Sequence, residues 1–143
     1  MYPFYLEREI IKPVTDFFQK KGCKVVHEVR IGFCRADLIA YKNDTVTAVE
    51  LKLKDRKKAL VQAKNYQLGA DYVYIAVPLM NAHSFLRKIE HRLRGEGIGL
   101  LVIHEETCKV KTIIEAKPSK KKFASMTIEK VKKRRRARQT RFF

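Results

Sequence analysis

The stretch "RADLIAYKNDTVTAVELKLKD", residues 35–55, decides the fold because it combines two strands, a turn and three charged side chains. "ADLIAY" and "VTAVELKL" are apolar enough to be buried strands, and "KNDT" between them favours a turn. Asp37, Glu50 and Lys52 interrupt these apolar runs. Burying charged groups is costly unless they are paired or bind an ion, so their presence indicates a functional site.

The turn fixes the register of this predicted hairpin. If residues 42–45 form a four-residue loop, Tyr41 faces Val46 across the hairpin. Counting back along both strands from that pair places Asp37 directly opposite Glu50. Opposed residues lie on the same side of a sheet, with β-carbons about 4.5–5.5 Å apart. The sequence therefore predicts two neighbouring carboxylates on one face of the sheet.

Lys52 belongs to the same predicted cluster, because side chains alternate along a strand and Lys52 shares the face of Glu50. Two carboxylates that close repel each other unless one is protonated or a cation lies between them. Lys52 supplies one positive charge, and the oxygen-rich arrangement suits Mg²⁺ or Mn²⁺. The alternative is an exposed cross-strand charge pair of Glu50 and Lys52. The apolar strands around them favour the metal site.

A helix predicted over residues 5–21 offers a third carboxylate. Gly22 suits the left-handed position that closes a helix, and Pro13 inside the segment predicts a kink. At about 100° per residue, Glu7 falls on the apolar stripe of this helix, whereas Glu9 points almost the opposite way. Helical phase therefore favours Glu7 over Glu9. The stripe consists of Ile10, Ile11, Val14, Phe17 and Phe18.

A second helix is predicted over "RKKALVQAKNYQL", with Asp55 as its N-terminal cap and Gly69 at its end. Gln62 and Tyr66 are four residues apart on this helix, so their side chains project together. Most such pairs are ordinary helix surface. In a chain with the carboxylates described above, they are also candidates for contacting a substrate.

The remaining pattern completes an α/β fold. "DYVYIAVP" predicts a buried, parallel strand, "AHSFLRKIEHRLRGEG" a helix, "IGLLVIHE" a strand, and "KVKTIIEA" a last strand. The element order is α-β-β-β-α-β-α-β, followed by this last strand. Strands joined through crossover helices indicate a mixed β-sheet core flanked by helices.

The charge of the chain is concentrated at its C-terminal end. Of a net charge of +17 over 143 residues, residues 1–116 contribute +6 and residues 117–143 contribute +11. We therefore expect a folded domain over residues 1–118 and a basic, disordered tail over residues 119–143 that contains "KKRRRAR". Such a tail favours a polyanionic partner.

Cysteine usage and hydropathy favour the cytoplasm. The three cysteines, Cys23, Cys34 and Cys108, are widely spaced, and the four histidines lack zinc-ligand spacing. Neither a signal peptide nor an apolar run of the roughly 18 residues needed to span a membrane is visible. The expected protein is cytoplasmic, with reduced thiols and no membrane partner.

Taken together, these residues resemble the restriction-endonuclease-like, or PD-(D/E)XK, nuclease superfamily. Its pattern of a helix Glu, a strand Asp and a strand (Asp/Glu)-x-Lys is matched by Glu7, Asp37 and the segment Glu50-Leu51-Lys52. "QAKNY", Gln62 to Tyr66, resembles the Gln-x-x-x-Tyr motif of exonuclease-like members. "EREII" and "GCKVVHEVR" resemble archaeal-type Holliday-junction resolvases. The resemblance covers about half the chain, and Ala36 replaces the proline of the family name.

The resemblance implies a restriction-endonuclease-like fold and a Mg²⁺-dependent deoxyribonuclease, with Mn²⁺ able to substitute. Asp37, Glu50 and the backbone carbonyl of Leu51 would hold Mg²⁺, and Glu7 could complete the ligand set. Lys52 would orient or deprotonate the attacking water, or stabilise the transition state. The motif residues Gln62 and Tyr66 would position the nucleic-acid backbone. The enzyme would act in repair, recombination or defence, and a junction substrate would favour a homodimer.

The expected partner is nucleic acid, most simply DNA, which would place the protein at the nucleoid. Candidate phosphate contacts are Arg35, Lys54, Arg56, Lys57, Lys58, Lys133, Arg134, Arg135 and Arg136. Two alternatives stay open: a nucleic-acid-binding module on the same fold without catalysis, and a basic structural protein that acts through its tail. Sequence alone does not choose between DNA and RNA, between endo- and exonucleolytic action, or among substrate structures.

Overall fold

The structure is a computed structural model that describes residues 7–119 and 127–134. Within these ranges a six-stranded sheet follows the chain order from β1 to β6. The strands are β1 Lys24–Ile31, β2 Cys34–Lys42, β3 Thr45–Leu51, β4 Tyr72–Pro78, β5 Gly99–Ile103 and β6 Val110–Ile114. Strands β3, β4 and β5 are parallel neighbours, whereas the other neighbouring strands are antiparallel. The predicted mixed α/β sheet is confirmed.

Helices cover both faces of this sheet. They are a 3₁₀ helix Glu7–Ile10, α1 Ile11–Lys20, α2 Arg56–Tyr66, α3 Leu79–Glu96 and residues 127–134, here called α4. Helices α2, α3 and α4 pack on the face that carries Val46 and Ala48. Helix α1 packs on the opposite face, which carries Val49 and Leu51. Among the helices that the structure describes, none has the length and apolar composition to cross a membrane.

The N-terminal segment differs from the continuous, kinked helix predicted over residues 5–21. A 3₁₀ helix comes first, and α1 begins at Ile11, so Pro13 lies in the first turn of α1, where a missing backbone N–H costs little. The predicted end is confirmed, because Gly22 has a φ of 87°. The N–H of Cys23 donates to the carbonyl of Phe18 at 3.1 Å, which closes the helix.

The β2–β3 hairpin has the predicted register but a shorter loop. Tyr41 pairs with Val46, and Lys42 pairs with Thr45, which leaves a two-residue loop instead of four residues. The loop residues Asn43 and Asp44 have φ angles of 50° and 62°. Positive φ at both central positions is the geometry of the tight turn that matches strand twist.

Helix α4 lies within the segment that was predicted to be disordered. Val131 is fully buried in the core formed with α2 and α3. Arg134 Nη1 donates to the carbonyl of His27 at 2.8 Å, and Lys130 Nζ donates to the carbonyl of Arg30 at 3.3 Å. The prediction of disorder is therefore wrong for residues 127–134. The predicted contacts Arg135 and Arg136 lie outside the described residues.

Truncating Val131 should test whether α4 belongs to the folded body. Val131→Ala removes two buried methyl groups, so we expect the free energy of unfolding to fall by about 2 kcal/mol in urea denaturation. Lys133→Ala, on the exposed side of the same helix, should change it by less than about 0.5 kcal/mol. Equal stability of the two variants would mean that α4 is detached from the core.

Candidate functional site

Asp37 and Glu50 lie where the β2–β3 ladder ends. Its last pair is Leu38 with Val49, and the same register places Asp37 opposite Glu50. Beyond this pair, a side chain continues the hydrogen bonding between the two strands. Asp37 Oδ2 accepts a hydrogen bond from the N–H of Leu51 at 2.9 Å. The Asp37 carboxylate is therefore fixed against the end of β3.

Glu50 is buried together with Lys52. Glu50 is 2% exposed and Lys52 is 8% exposed. Lys52 Nζ lies 3.4 Å from Glu50 Oε2, and the Tyr66 hydroxyl lies 2.7 Å from Glu50 Oε1. The backbone N–H of Lys52 donates to the carbonyl of Ala76 on β4, which fixes the residue just beyond the end of β3. The exposed cross-strand pair considered as an alternative does not describe this arrangement.

The surroundings of Glu50 disfavour its ionised form. Burial raises the pKa of Glu50 to about 7, and the negative charge of Asp37 contributes in the same direction. The hydrogen bond from Tyr66 and the charge of Lys52 lower the pKa but do not offset burial. Near neutral pH, the positive charge around Asp37 and Glu50 is therefore too small for both carboxylates to be fully ionised at once.

Tyr66 connects three elements at this site. Its hydroxyl reaches Glu50 Oε1 on β3 and also lies 2.8 Å from the carbonyl of Arg35 on β2. Burial and the hydrogen bond to Glu50 raise the pKa of Tyr66, so it remains a neutral hydroxyl. A hydroxyl has one hydrogen to donate, so a protonated Glu50 can donate to Tyr66 while Tyr66 donates to Arg35.

Gln62 lies one turn before Tyr66 on α2 and carries a buried acceptor. Its Oε1 has no hydrogen-bond partner among the residues that the structure describes. A buried carbonyl oxygen without a donor is costly, so this atom is available for a donor or a cation from outside the described chain.

Two residues near the site have a positive φ angle. Glu28 on β1 has a φ of 55°, and the β1–β2 ladder skips it at the position opposite Asp37. Asp55, which follows the site in the chain, also has a φ of 55° and accepts a hydrogen bond from the N–H of Lys58 at 3.1 Å. The predicted cap of α2 is thus confirmed. Unusual backbone at such positions often accompanies a functional site.

The predicted helix carboxylate has no described position. Glu7 begins the 3₁₀ helix, which contacts β3, but its side chain lies outside what the structure describes. Glu9 is exposed and lines a cleft of about 750 Å³ between α1 and the β5–β6 loop. Among the described side chains, no three from His, Cys, Asp and Glu form a metal-binding group.

Most of the predicted phosphate contacts that the structure describes form two groups. Lys54, Lys57 and Lys58 are exposed at the start of α2, close in sequence to Lys52. Arg56 instead ties α2 to α3, because its Nη1 donates to Ser84 Oγ at 2.8 Å. The other group, Lys133 and Arg134 on α4, lines a cleft beside β1. Arg35 is exposed and lies 4.0 Å from Glu28.

Asn65 is a site-supporting residue that sequence reasoning missed. It is 5% exposed, its Nδ2 donates to the carbonyl of Ile31 at 2.7 Å, and its Oδ1 accepts from the N–H of Phe33 at 3.3 Å. These bonds fix the β1–β2 turn against α2. The sequence does not predict this role for Asn65, because an Asn next to Tyr66 fits an exposed helix position equally well.

Comparison with known proteins supports the fold. No protein-family model and no curated protein sequence matches the chain. The solved structure of SPO1766, a protein of unknown function from Silicibacter pomeroyi, is similar at a TM-score of 0.71 and 16% identity, covering 98% of this chain and 94% of that one. SfsA of Pyrococcus furiosus in complex with Ca²⁺ gives a TM-score of 0.49 and 14% identity, covering 77% of this chain and 64% of that one. The similarity to SPO1766 shows that this fold, over nearly its whole length, occurs in a solved structure.

Proposed function

We propose that the protein is a metal-dependent nuclease of the PD-(D/E)XK type that hydrolyses phosphodiester bonds in DNA. The observation that carries the proposal is the group formed by the buried Glu50 and Lys52 with the half-buried Asp37. Glu50 has a pKa near 7 beside a second carboxylate, and an ammonium lies 3.4 Å away. A protein that only binds phosphates gains little from carboxylates in its binding site, since they repel the ligand.

The donor set fits Mg²⁺ or Mn²⁺. Asp37 and Glu50 supply carboxylate oxygens, the donors that these ions prefer. The N–H of Leu51 points toward Asp37, and because the N–H and C=O of one strand residue share a side, its carbonyl oxygen faces the same way. The unpartnered Gln62 Oε1 is a further acceptor on the adjoining helix. A bound divalent cation would supply the missing positive charge and polarise a phosphate oxygen.

The other residues of the proposed site have separate roles in catalysis, positioning and substrate binding. Lys52, fixed beside Glu50, would orient a water molecule or stabilise negative charge that develops on the phosphate. Tyr66 fixes Glu50 through its hydroxyl, which makes it a positioning residue. The exposed Lys54 and Lys57 would contact the nucleic-acid backbone, and such contacts make binding strongly salt-dependent. A location at the nucleoid and a homodimer are parts of the same proposal.

A cleavage assay tests the proposal. Labelled duplex, single-stranded and four-way-junction DNA are incubated with the protein in Mg²⁺, in Mn²⁺ and in chelator, beside the variant Asp37→Asn purified in parallel. We expect metal-dependent cutting by the wild type and at least about 100-fold less by the variant. Salt-sensitive binding without cutting of any substrate would instead favour the non-catalytic binding module. Equal metal-dependent cutting by both proteins would exclude Asp37 from the reaction.

A further inference from the structure

The β1–β2 turn presents an aromatic side chain to solvent on a rigid support. Phe33 is 66% exposed, the largest value among the exposed large hydrophobic residues that the structure describes. It lies in the two-residue turn between the paired Ile31 and Cys34, and Gly32 in the same turn has a φ of 60°. The buried Asn65 holds both sides of this turn. The exposure of Phe33 is therefore set by the fold and is not a loose loop end.

Positive charges surround this turn in an arrangement that is unfavourable without a partner. Arg30 and Arg35 pair directly across β1 and β2, and like charges at opposed positions destabilise a sheet. Arg35 Nη1 lies 4.0 Å from Glu28 Oε2. Lys130 lies close to the same pair, because it donates to the carbonyl of Arg30.

Helix α4 extends this charged surface. A cleft of about 410 Å³ separates β1 from α4, and its lining is Val29, Arg30, Lys130, Lys133 and Arg134. Four of these five side chains are cations. Arg134 uses Nη1 to hold the carbonyls of His27 and Glu28, and its guanidinium has further N–H donors for an anion. Cationic residues therefore border this cleft.

We propose that the β1–β2 turn and α4 form a binding surface for single-stranded nucleic acid. An unpaired base stacks on Phe33, and the adjoining phosphates contact Arg30, Lys130 and Lys133. This is the usual combination for single strands, a basic groove beside an aromatic platform. A base inside a duplex has both faces covered by its neighbours, so stacking on Phe33 selects unpaired segments.

The surface is placed to serve the candidate active site, and this part of the inference rests on the proposed function. Phe33 and Asp37 are four residues apart along the start of β2, which corresponds to roughly 13 Å. The carbonyl of Arg35, between them, is held by the Tyr66 hydroxyl that also contacts Glu50. A strand bound at Phe33 can therefore reach the carboxylates, and the expected substrate contains unpaired nucleotides beside the scissile bond.

Binding measured in chelator tests the surface apart from catalysis. Fluorescence anisotropy follows a labelled oligonucleotide of about 12 nucleotides, single-stranded or as a duplex, with the full chain and with Phe33→Ala. Loss of one stacked base should weaken single-strand binding about 5- to 100-fold and change duplex binding less than about twofold. Phe33→Tyr should keep wild-type affinity, and Ile113→Ala, an exposed apolar residue on β6, serves as the matched control.

A base analogue gives a second readout. The fluorescence of 2-aminopurine in the single strand should be quenched by the wild type and restored with Phe33→Ala. Unchanged single-strand affinity, an equal loss on duplex, or absent quenching would each overturn the proposal. Unchanged binding of both single strand and duplex by Phe33→Ala would favour a purely electrostatic surface, because this substitution removes no charge. Selective single-strand binding without any cleavage would uphold this surface and reject the nuclease. Cleavage that Phe33→Ala leaves unchanged would uphold the nuclease and reject this surface.

Discussion

Lys52→Ala should lower single-turnover DNA cleavage by about 100- to 1,000-fold and change DNA affinity by less than about threefold. Lys52 is the cation held 3.4 Å from Glu50, so its removal takes away a preorganised positive charge where negative charge develops during hydrolysis. Binding should persist, because phosphate contacts come from exposed cations such as Lys54 and Lys57, which remain in place.

Two further variants make the Lys52 experiment specific. Lys111→Ala removes one positive charge from an exposed position on β6 and should leave cleavage within about twofold of wild type. Lys52→Arg keeps the charge but exchanges a compact ammonium for a planar guanidinium, so activity should recover only partly. Single-turnover rates with excess enzyme separate chemistry from binding, and anisotropy in chelator gives the affinity. Full cleavage by Lys52→Ala would exclude Lys52 from the reaction.

The hairpin that carries the site could be predicted from the sequence because its register depends on few features. Alternation placed Glu50 and Lys52 on one face, and the pairing of Tyr41 with Val46 is the same for a two-residue and a four-residue loop. The loop length was wrong because "KNDT" admits both lengths. Only the left-handed Asn43 and Asp44 distinguish the shorter loop.

Contacts between distant segments could not be predicted in this way. In α4, Ile128 and Val131 are the apolar residues three apart that pack on the core, but the surrounding Lys and Arg conceal this short pattern. The hydrogen bond from the N–H of Leu51 to Asp37 was also missed. Alternation assigns side chains to the two faces of a sheet, and it does not predict a bond from a side chain to the backbone of the neighbouring strand. Local spacing therefore located the charged residues, whereas tertiary contacts determine their protonation and their support.

The unusual protonation of Glu50 should appear as a pH-dependent stability that Glu50→Gln removes. The pKa of Glu50 is raised from 4.5 to about 7, mainly by burial. Between these values the folded state holds this proton while the unfolded state has lost it, so the free energy of unfolding falls as pH rises through the window. For the metal-free protein, this contribution should reduce stability by about 2 kcal/mol between about pH 5 and about pH 8.

Comparison of variants isolates this contribution. Urea denaturation in chelator across the pH range gives the stability of wild type, Glu50→Gln and the exposed control Glu106→Gln. All other titratable residues are common to the proteins compared, so the difference between two curves reports the substituted residue. We expect Glu50→Gln to gain about 2 kcal/mol relative to wild type as pH rises, and Glu106→Gln to run parallel to wild type. Parallel curves for all three would mean that Glu50 is ionised without penalty, and the argument that its surroundings call for a divalent cation would then fail.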